Sequence, residues 1–158
     1  MAEHLNDAVS AEEAVAPLQS GMNVFIHGAC ATPTPLLEAL ARRSDLRDVQ
    51  LFHLHTAGPA PFAEEDVAGR FVSNSLFTGP PLRKAIAAGR ADYIPIFLSD
   101  IPGLFLSGRV RLDAAIVQLS VPDKHGDCTL GPSVDAALAA ATSAEIVIAE
   151  INRQMPRT

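Results

Sequence analysis

The sequence predicts an α/β fold, a mostly parallel sheet with helices on both faces, and three observations predict it. Short apolar runs such as "NVFI" and "AAIVQLS" alternate with segments of helical periodicity, the pattern of strand–helix–strand units. The runs are unbroken, as in strands buried on both faces. Aromatic residues make up 5% of the chain and Trp is absent, so Ala, Leu, Val and Ile must fill the core, which suits helices layered on a sheet.

The elements follow in order. Ser10 to Gln19 reads as a helix: Ser10 and Glu13 form an S-x-x-E capping box, Gly21 is a good residue just past its end, and Pro17 should kink or shorten it. Asn23 to His27 is a strand. Thr34 can cap the next helix, with Pro35 at its first position and Leu36, Leu37 and Leu40 as its buried stripe. Val49 to His53 is a second strand. "HTAGPAPFAEEDVAGR" is a long loop, rich in Gly, Pro and acid, and long loops in compact domains are usually functional. Arg70 to Val72 is a short strand and Ser73 to Gly79 a turn. Pro80 or Pro81 opens a helix that Gly89 ends. Tyr93 to Phe97 is a strand, and Ser99 or Asp100 caps a short helix ending near Gly108. Ala114 to Leu119 is a strand, "VPDKHGDCTLG" a turn, Ser133 to Ala141 a helix and Ala144 to Ile151 the last strand. No internal repeat or linker interrupts residues 1–158, which read as one α/β domain with room for a real core.

Composition narrows the function classes. Apolar residues at 48% and charged residues at 19% exclude a disordered chain. A formal net charge of −6, with no basic run, makes nucleic acid an unexpected partner. No apolar stretch approaches the roughly 20 residues that span a bilayer. The start, "MAEHLNDAVSAEEAV", has neither the basic nor the apolar region of a signal peptide. Cys30 and Cys128 are far apart and lack metal-ligand spacing, so reduced thiols in a cytoplasmic protein are expected. The mean hydropathy, +0.20, is high for a small domain and suggests a surface buried against a partner.

Ligands of parallel sheets bind beyond the carboxyl ends of the strands. Three predicted loops leave strands there: "HGACATPTP", "SNSLFTGPP" and "SVPDKHGDC". Gly28 can let the backbone approach a ligand, with a helix N-terminus behind it; it can equally serve only the turn. Neither nucleotide-binding glycine pattern is present. Cys30 with His125 or His27 as base has the makings of a nucleophile, against the plainer reading of a small buried hydrophobe. His53 and His55 share one strand face and are possible zinc ligands, but no third ligand has matching spacing; hydrogen-bonded strand-end histidines are the simpler account. Asn74, Ser75 and Gly79 suit a carboxylate or thioester carbonyl, or a capped turn. His125 and Gly126 place a proton carrier in a turn, where histidines are usually just solvated. Glu64, Glu65 and Asp66 read as a solvated acidic loop.

Together, "SAEEAVAPLQSGMNVFIHGACATP", "NSLFTGPPLRKAIAAGRADYIPIFLSDIPGLF", "DAAIVQLSVPDKHGDCTLGPSVD" and "AEIVIAEINRQMPRT" resemble the amino-terminal half of the acetyl-CoA hydrolase/transferase family, which includes 4-hydroxybutyrate and acetate CoA-transferases. The resemblance runs from about Ser10 to Thr158 and rests on "NSLF-x-G", "GRADY-x-P" and "PD-x-HG-x-C". It implies a CoA-transferase-like amino-terminal domain, one of two related α/β domains with the active site between them. It implies transfer of CoA from an acyl-CoA to a small carboxylic acid, or to water, with coenzyme A as substrate and no metal or other cofactor. A glutamate of the carboxyl-terminal half attacks the thioester and becomes a glutamyl-CoA thioester. That half lies beyond the matched stretch, and Glu145 and Glu150 do not match the glutamate's motif, so no catalytic residue carries over. What carries over is a wall of the CoA-thioester site: Gly28, Ala29, Cys30, Asn74, Ser75, Gly79, His125 and Gly126. The implied partner is a second CoA-transferase-like domain or subunit, or failing that self-association through the exposed apolar face. The competing readings are a non-enzymatic CoA- or acyl-binding domain and a cysteine-dependent thioester hydrolase built on Cys30.

Overall fold

Apolar runs become strands, and the connecting segments carry the caps and breaks that set helix length. A computed structural model describes residues 8–158; residues 1–7, which begin the polar stretch weighed against a signal peptide, lie outside the described residues. The first helix, α1 (Ala11–Val15), starts at the predicted capping box. Ser10 Oγ accepts from the Glu13 N–H at 3.2 Å, and the Glu13 carboxylate accepts from the Ser10 N–H at 3.0 Å. It stops after five residues, because Pro17 has no N–H to continue the ladder.

Six strands form one all-parallel sheet: β1 (Asn23–Ile26), β2 (Val49–His53), β3 (Phe71–Ser75), β4 (Ala91–Tyr93), β5 (Ala114–Ser120) and β6 (Ile146–Asn152), in the order β4-β3-β2-β1-β5-β6. The remaining helices are α2 (Thr34–Arg42), α3 (Arg83–Ala87), α4 (Ile101–Leu106) and α5 (Ala137–Ser143). Strand alternation sends side chains to two separate cores. Val24, Ile26, Leu51 and Ile116 pack with Leu37 and Leu40 of α2 on one face. Phe25, Phe52, Ala115 and Val117 pack with Phe105 of α4 and Ala137 of α5 on the other. The strand order reverses between β1 and β5, so the crevice beyond their carboxyl ends is the topological switch point.

Among the predicted boundaries that move, four have a clear physical reason. The residue before α2 is Pro33, with no side-chain cap, and Thr34 is already helical. The hydroxyl that organises this turn belongs to Thr32, which donates to the Ala29 carbonyl (2.8 Å) and accepts from the Ala57 N–H (2.9 Å). Ser73, Asn74 and Ser75 lie in β3, not in a turn. Their polar groups are matched within the sheet and the turn behind it: Ser73 to His53 (2.7 Å), Asn74 to Gln50 (3.0 Å) and Ser75 to Thr78 (3.4 Å). β4 ends at Tyr93 and does not run to Phe97. Its neighbour β3 ends at Ser75, the Ile94 N–H closes the ladder on the Ser75 carbonyl at 2.9 Å, and Pro95 has no N–H to offer. The last helix begins at Ala137, four residues after Ser133, because Ser133 is engaged elsewhere. The acidic loop after β2 carries two short 3₁₀ turns, Pro61–Ala63 and Glu65–Val67.

Candidate functional site at the carboxyl ends of the strands

The loop after β1 is held by one buried histidine. His27 is fully buried; its Nδ1 accepts from the Gln118 N–H at 3.2 Å, and its Nε2 lies against the Ser133 carbonyl. An acceptor at Nδ1 requires the proton at Nε2, which then donates to that carbonyl. Both ring nitrogens are thus spent in bracing β1 against β5 and the segment before α5. His27 is a strut across the switch point, not a base for Cys30.

Directly after it, the chain turns sharply. Ala29 has φ +50°, the left-handed region that costs a side-chain-bearing residue strain. Its N–H donates to the His55 carbonyl at 2.7 Å, and the residue pairs with Thr56 as an isolated parallel bridge. A Cβ on Gly28 would stand 2.8 Å from the His55 carbonyl oxygen, and one on Gly79 would stand 3.3 Å from His55 Cβ. Two glycines from different loops therefore close on the backbone of His55. The His55 ring meets Phe77 edge-on, centroids 5.3 Å apart, and Phe77 is 58% exposed. Within this knot His55 Nδ1 and Thr56 Oγ1 are buried without a hydrogen-bond partner. Because the contact at Gly28 is to backbone, Gly28→Ala is expected to lower stability by about 1–3 kcal/mol through overpacking. Urea unfolding checks this, with Gly79→Ala as the milder comparison; equal midpoints for Gly28→Ala and the parent would show that the loops yield freely.

Cys30 is exposed at the rim, its Sγ 3.1 Å from Ser133 Oγ. Its hydrogen-bond partner is a hydroxyl, and neither His27 nor His125 hydrogen-bonds to it. In Cys128, burial pushes the thiol up, away from the reactive range. His53 is fully buried with both nitrogens occupied, by the Leu54 carbonyl and the Ser73 hydroxyl. β2 ends at His53, so His55 leaves the strand and the two rings do not form a chelating pair. Among the described residues no group of three or more His, Cys, Asp or Glu side chains is placed to hold a metal ion. No helix among them is long and apolar enough to cross a membrane.

The other predicted residues stand apart from this knot. Asn74 and Ser75 are consecutive in β3 and point to opposite faces of the sheet. Asn74 Nδ2 bonds Gln50 and the Val72 carbonyl inside the sheet. His125 and Gly126 form the exposed tip of a turn organised by Asp123, whose carboxylate accepts from the N–H groups of His125 (2.8 Å) and Asp127 (3.0 Å). Those backbone bonds hold the Asp123 carboxyl below the usual range. Arg157 clamps the same turn, reaching Asp123 Oδ2 at 3.2 Å and the Asp127 carbonyl at 2.8 Å. Residue-type reasoning missed Ser133, Thr32 and Thr56, which link the loops; the paired glycines at 28 and 79 were the one legible sign that backbones meet closely there.

Comparison with known proteins identifies the domain. The family description "Acetyl-CoA hydrolase/transferase N-terminal domain" matches residues 1–158. The chain is 50% identical over 154 residues to succinyl-CoA:acetate/propanoyl-CoA:succinate CoA transferase of Fasciola hepatica, covering 96% of this chain and 32% of that one. It is 38% identical to 4-hydroxybutyrate coenzyme A transferase of Clostridium kluyveri, covering 95% of this chain and 35% of that one. Among solved structures, 4-hydroxybutyrate CoA-transferase of Porphyromonas gingivalis superimposes with a TM-score of 0.76 at 31% identity, over 94% of this chain and 34% of that one. RipA of Yersinia pestis gives 0.82 at 29% identity, over 95% of this chain and 37% of that one. The chain thus spans about a third of the length of the curated relatives it matches. The match over residues 1–158 and the 50% identity over 96% of the chain lead to one conclusion: the chain belongs to the acetyl-CoA hydrolase/transferase family and corresponds to the N-terminal domain of its members.

Proposed function

We propose that this chain forms one wall of the CoA-thioester site of an acyl-CoA:carboxylate CoA-transferase or acetyl-CoA hydrolase. The observation that most supports the reading is the knot at the switch point, where Gly28, Ala29 and Gly79 close on His55 beneath exposed Phe77 and Cys30. The glycines let three loops pack tightly there, and the crevice above them lies where parallel sheets bind ligands. The second half supplies the glutamate. Its carboxylate oxygen attacks the thioester carbonyl, the C–S bond breaks and CoA leaves as thiolate. The thiolate then adds to the glutamyl carbonyl of the resulting anhydride, releasing the first acid and leaving a glutamyl-CoA thioester. The acceptor carboxylate, or water, resolves it. Splitting the transfer into such steps is nucleophilic catalysis, and each tetrahedral intermediate needs oxyanion donors. His125 and Gly126 belong to the outer part of this wall, and Asn74 and Ser75, buried in β3, support it from within the sheet.

The test is to incubate the chain with acetyl-CoA and a second carboxylic acid and to follow free CoA and new acyl-CoA by mass spectrometry. The chain alone is expected to be inactive. A chimera in which it replaces the matched third of the Fasciola hepatica relative is expected to transfer CoA. Turnover by the chain alone would overturn the reading, and loss of that turnover in Cys30→Ser would move the chemistry to the thiol.

A further inference from the structure

We propose that a notch at the amino-terminal ends of β3 and β4, at the opposite end of the sheet from the crevice, binds a small zwitterion: an α-amino acid with an aliphatic side chain. The site is independent of the functional reading above. β3 pairs with β2 from Phe71 onward, but its first partner in β4 is Ala91, opposite Ser73. β4 starts late because the Arg90 N–H is taken by the Ala85 carbonyl of α3, at 2.9 Å. Phe71 and Val72 therefore have no neighbour in β4, and a cavity of about 270 Å³ opens beside them. That is just under the roughly 300–1,000 Å³ of sites for drug-sized ligands, so it suits a smaller molecule. Gly69 and Gly89 line it, and a Cβ on either would meet nothing within 4 Å.

The walls of the notch are held in place and carry both signs of charge. Phe62 is buried, its ring 5.4 Å from that of His53. Arg90 is half-buried, and its Nη1 donates to the Ala63 carbonyl at 2.6 Å, which ties the guanidinium to the same loop. A guanidinium has further N–H donors to spare. Among the described residues no other acceptor engages those of Arg90, and no carboxylate lies within 4 Å of it. Glu64 and Asp92 nevertheless line the same cavity. A lone anion would reach Arg90 but face the carboxylates of Glu64 and Asp92; a lone cation would face Arg90. A molecule with both charges fits the arrangement. Its carboxylate takes the planar fork of Arg90, and its ammonium turns toward Glu64 and Asp92. Phe62, Phe71 and Val72 then leave an apolar wall for its side chain.

Titration of the chain with L-valine tests this, by calorimetry and by the amide resonances of Gly69 and Gly89, which locate the site. L-valine is expected to saturate the chain below ~10 mM and to shift those amides. 3-Methylbutanoate is valine without its ammonium, and 2-methylpropan-1-amine is valine without its carboxylate. Each is expected to bind at least ~10-fold more weakly, the scale of one lost charge-assisted hydrogen bond. Glu64 and Asp92 are exposed, so Glu64→Gln combined with Asp92→Asn is expected to leave the chain folded. That variant should bind L-valine at least ~10-fold more weakly and no longer prefer it to 3-methylbutanoate. Absence of saturable L-valine binding overturns the proposal. So does equal binding of L-valine and 3-methylbutanoate by the parent chain. Shifts confined to the amides of Gly28 and Gly79 would put the ligand in the crevice instead and would also overturn it.

Discussion

Phe105→Ala is expected to destabilise the chain by about 3–5 kcal/mol, the range for deleting a buried aromatic. Phe105 is 2% exposed and is the residue through which α4 grips the sheet. Its ring meets Phe25 edge-on at 5.6 Å and Phe52 at 6.5 Å, and such pairs add about 0.5–1.5 kcal/mol beyond buried area. Thermal unfolding should show a midpoint lowered on the order of 10 °C. Phe105→Leu should recover most of the loss, since it keeps most of the volume. A small effect for the alanine variant would mean that α4 repacks and that its grip is not set by this ring.

Acid should weaken the fold in a window set by His53. Burial lowers its pKa from 6.5 to about 4, opposed in part by the bond to the Leu54 carbonyl. Between those values the unfolded chain binds a proton that the folded chain refuses, so stability falls as pH falls. The contribution is fully present above about pH 6.5 and gone near pH 4, and amounts to about 3 kcal/mol. Protonating Nε2 would also evict the Ser73 hydroxyl that donates to it. Glu150 works in the opposite direction: burial raises its carboxyl, so it favours the folded state as pH falls. Urea unfolding at a series of pH values, in the parent and in His53→Gln, separates the two. The variant is expected to lose most of the slope between pH 6.5 and 4; an unchanged slope would place its source elsewhere.

The fold was legible where local chemistry and tertiary demand agree. β2 matches its predicted span, and the capping box at Ser10 starts α1 as read. Prediction failed where polar residues satisfy one another across strands. Ser73, Asn74 and Ser75 have the composition of a turn, and only their pairing with β2 and β4 makes them a strand. Tyr93 to Phe97 looks like a strand by composition, but a strand ends where its neighbour ends. The candidate site was legible through its glycines and its place beyond the strand ends. Its linking residues were not, because Ser133 and Thr32 act over long sequence separations through a carbonyl and a hydroxyl, which leave no spacing to read.

The knot around residue 55 divides the fixed main chain from the side chain it carries. Gly28 abuts the carbonyl of residue 55 and Gly79 abuts its Cα and Cβ, so the wall's shape is set by main chain and Cβ. The imidazole beyond Cβ takes no part in that fit. Chemistry at this position can therefore change without refolding the loops around it. The scaffold separates what must stay fixed for the molecule to fold, the two glycines and the main chain they abut, from the ring that stands beyond it.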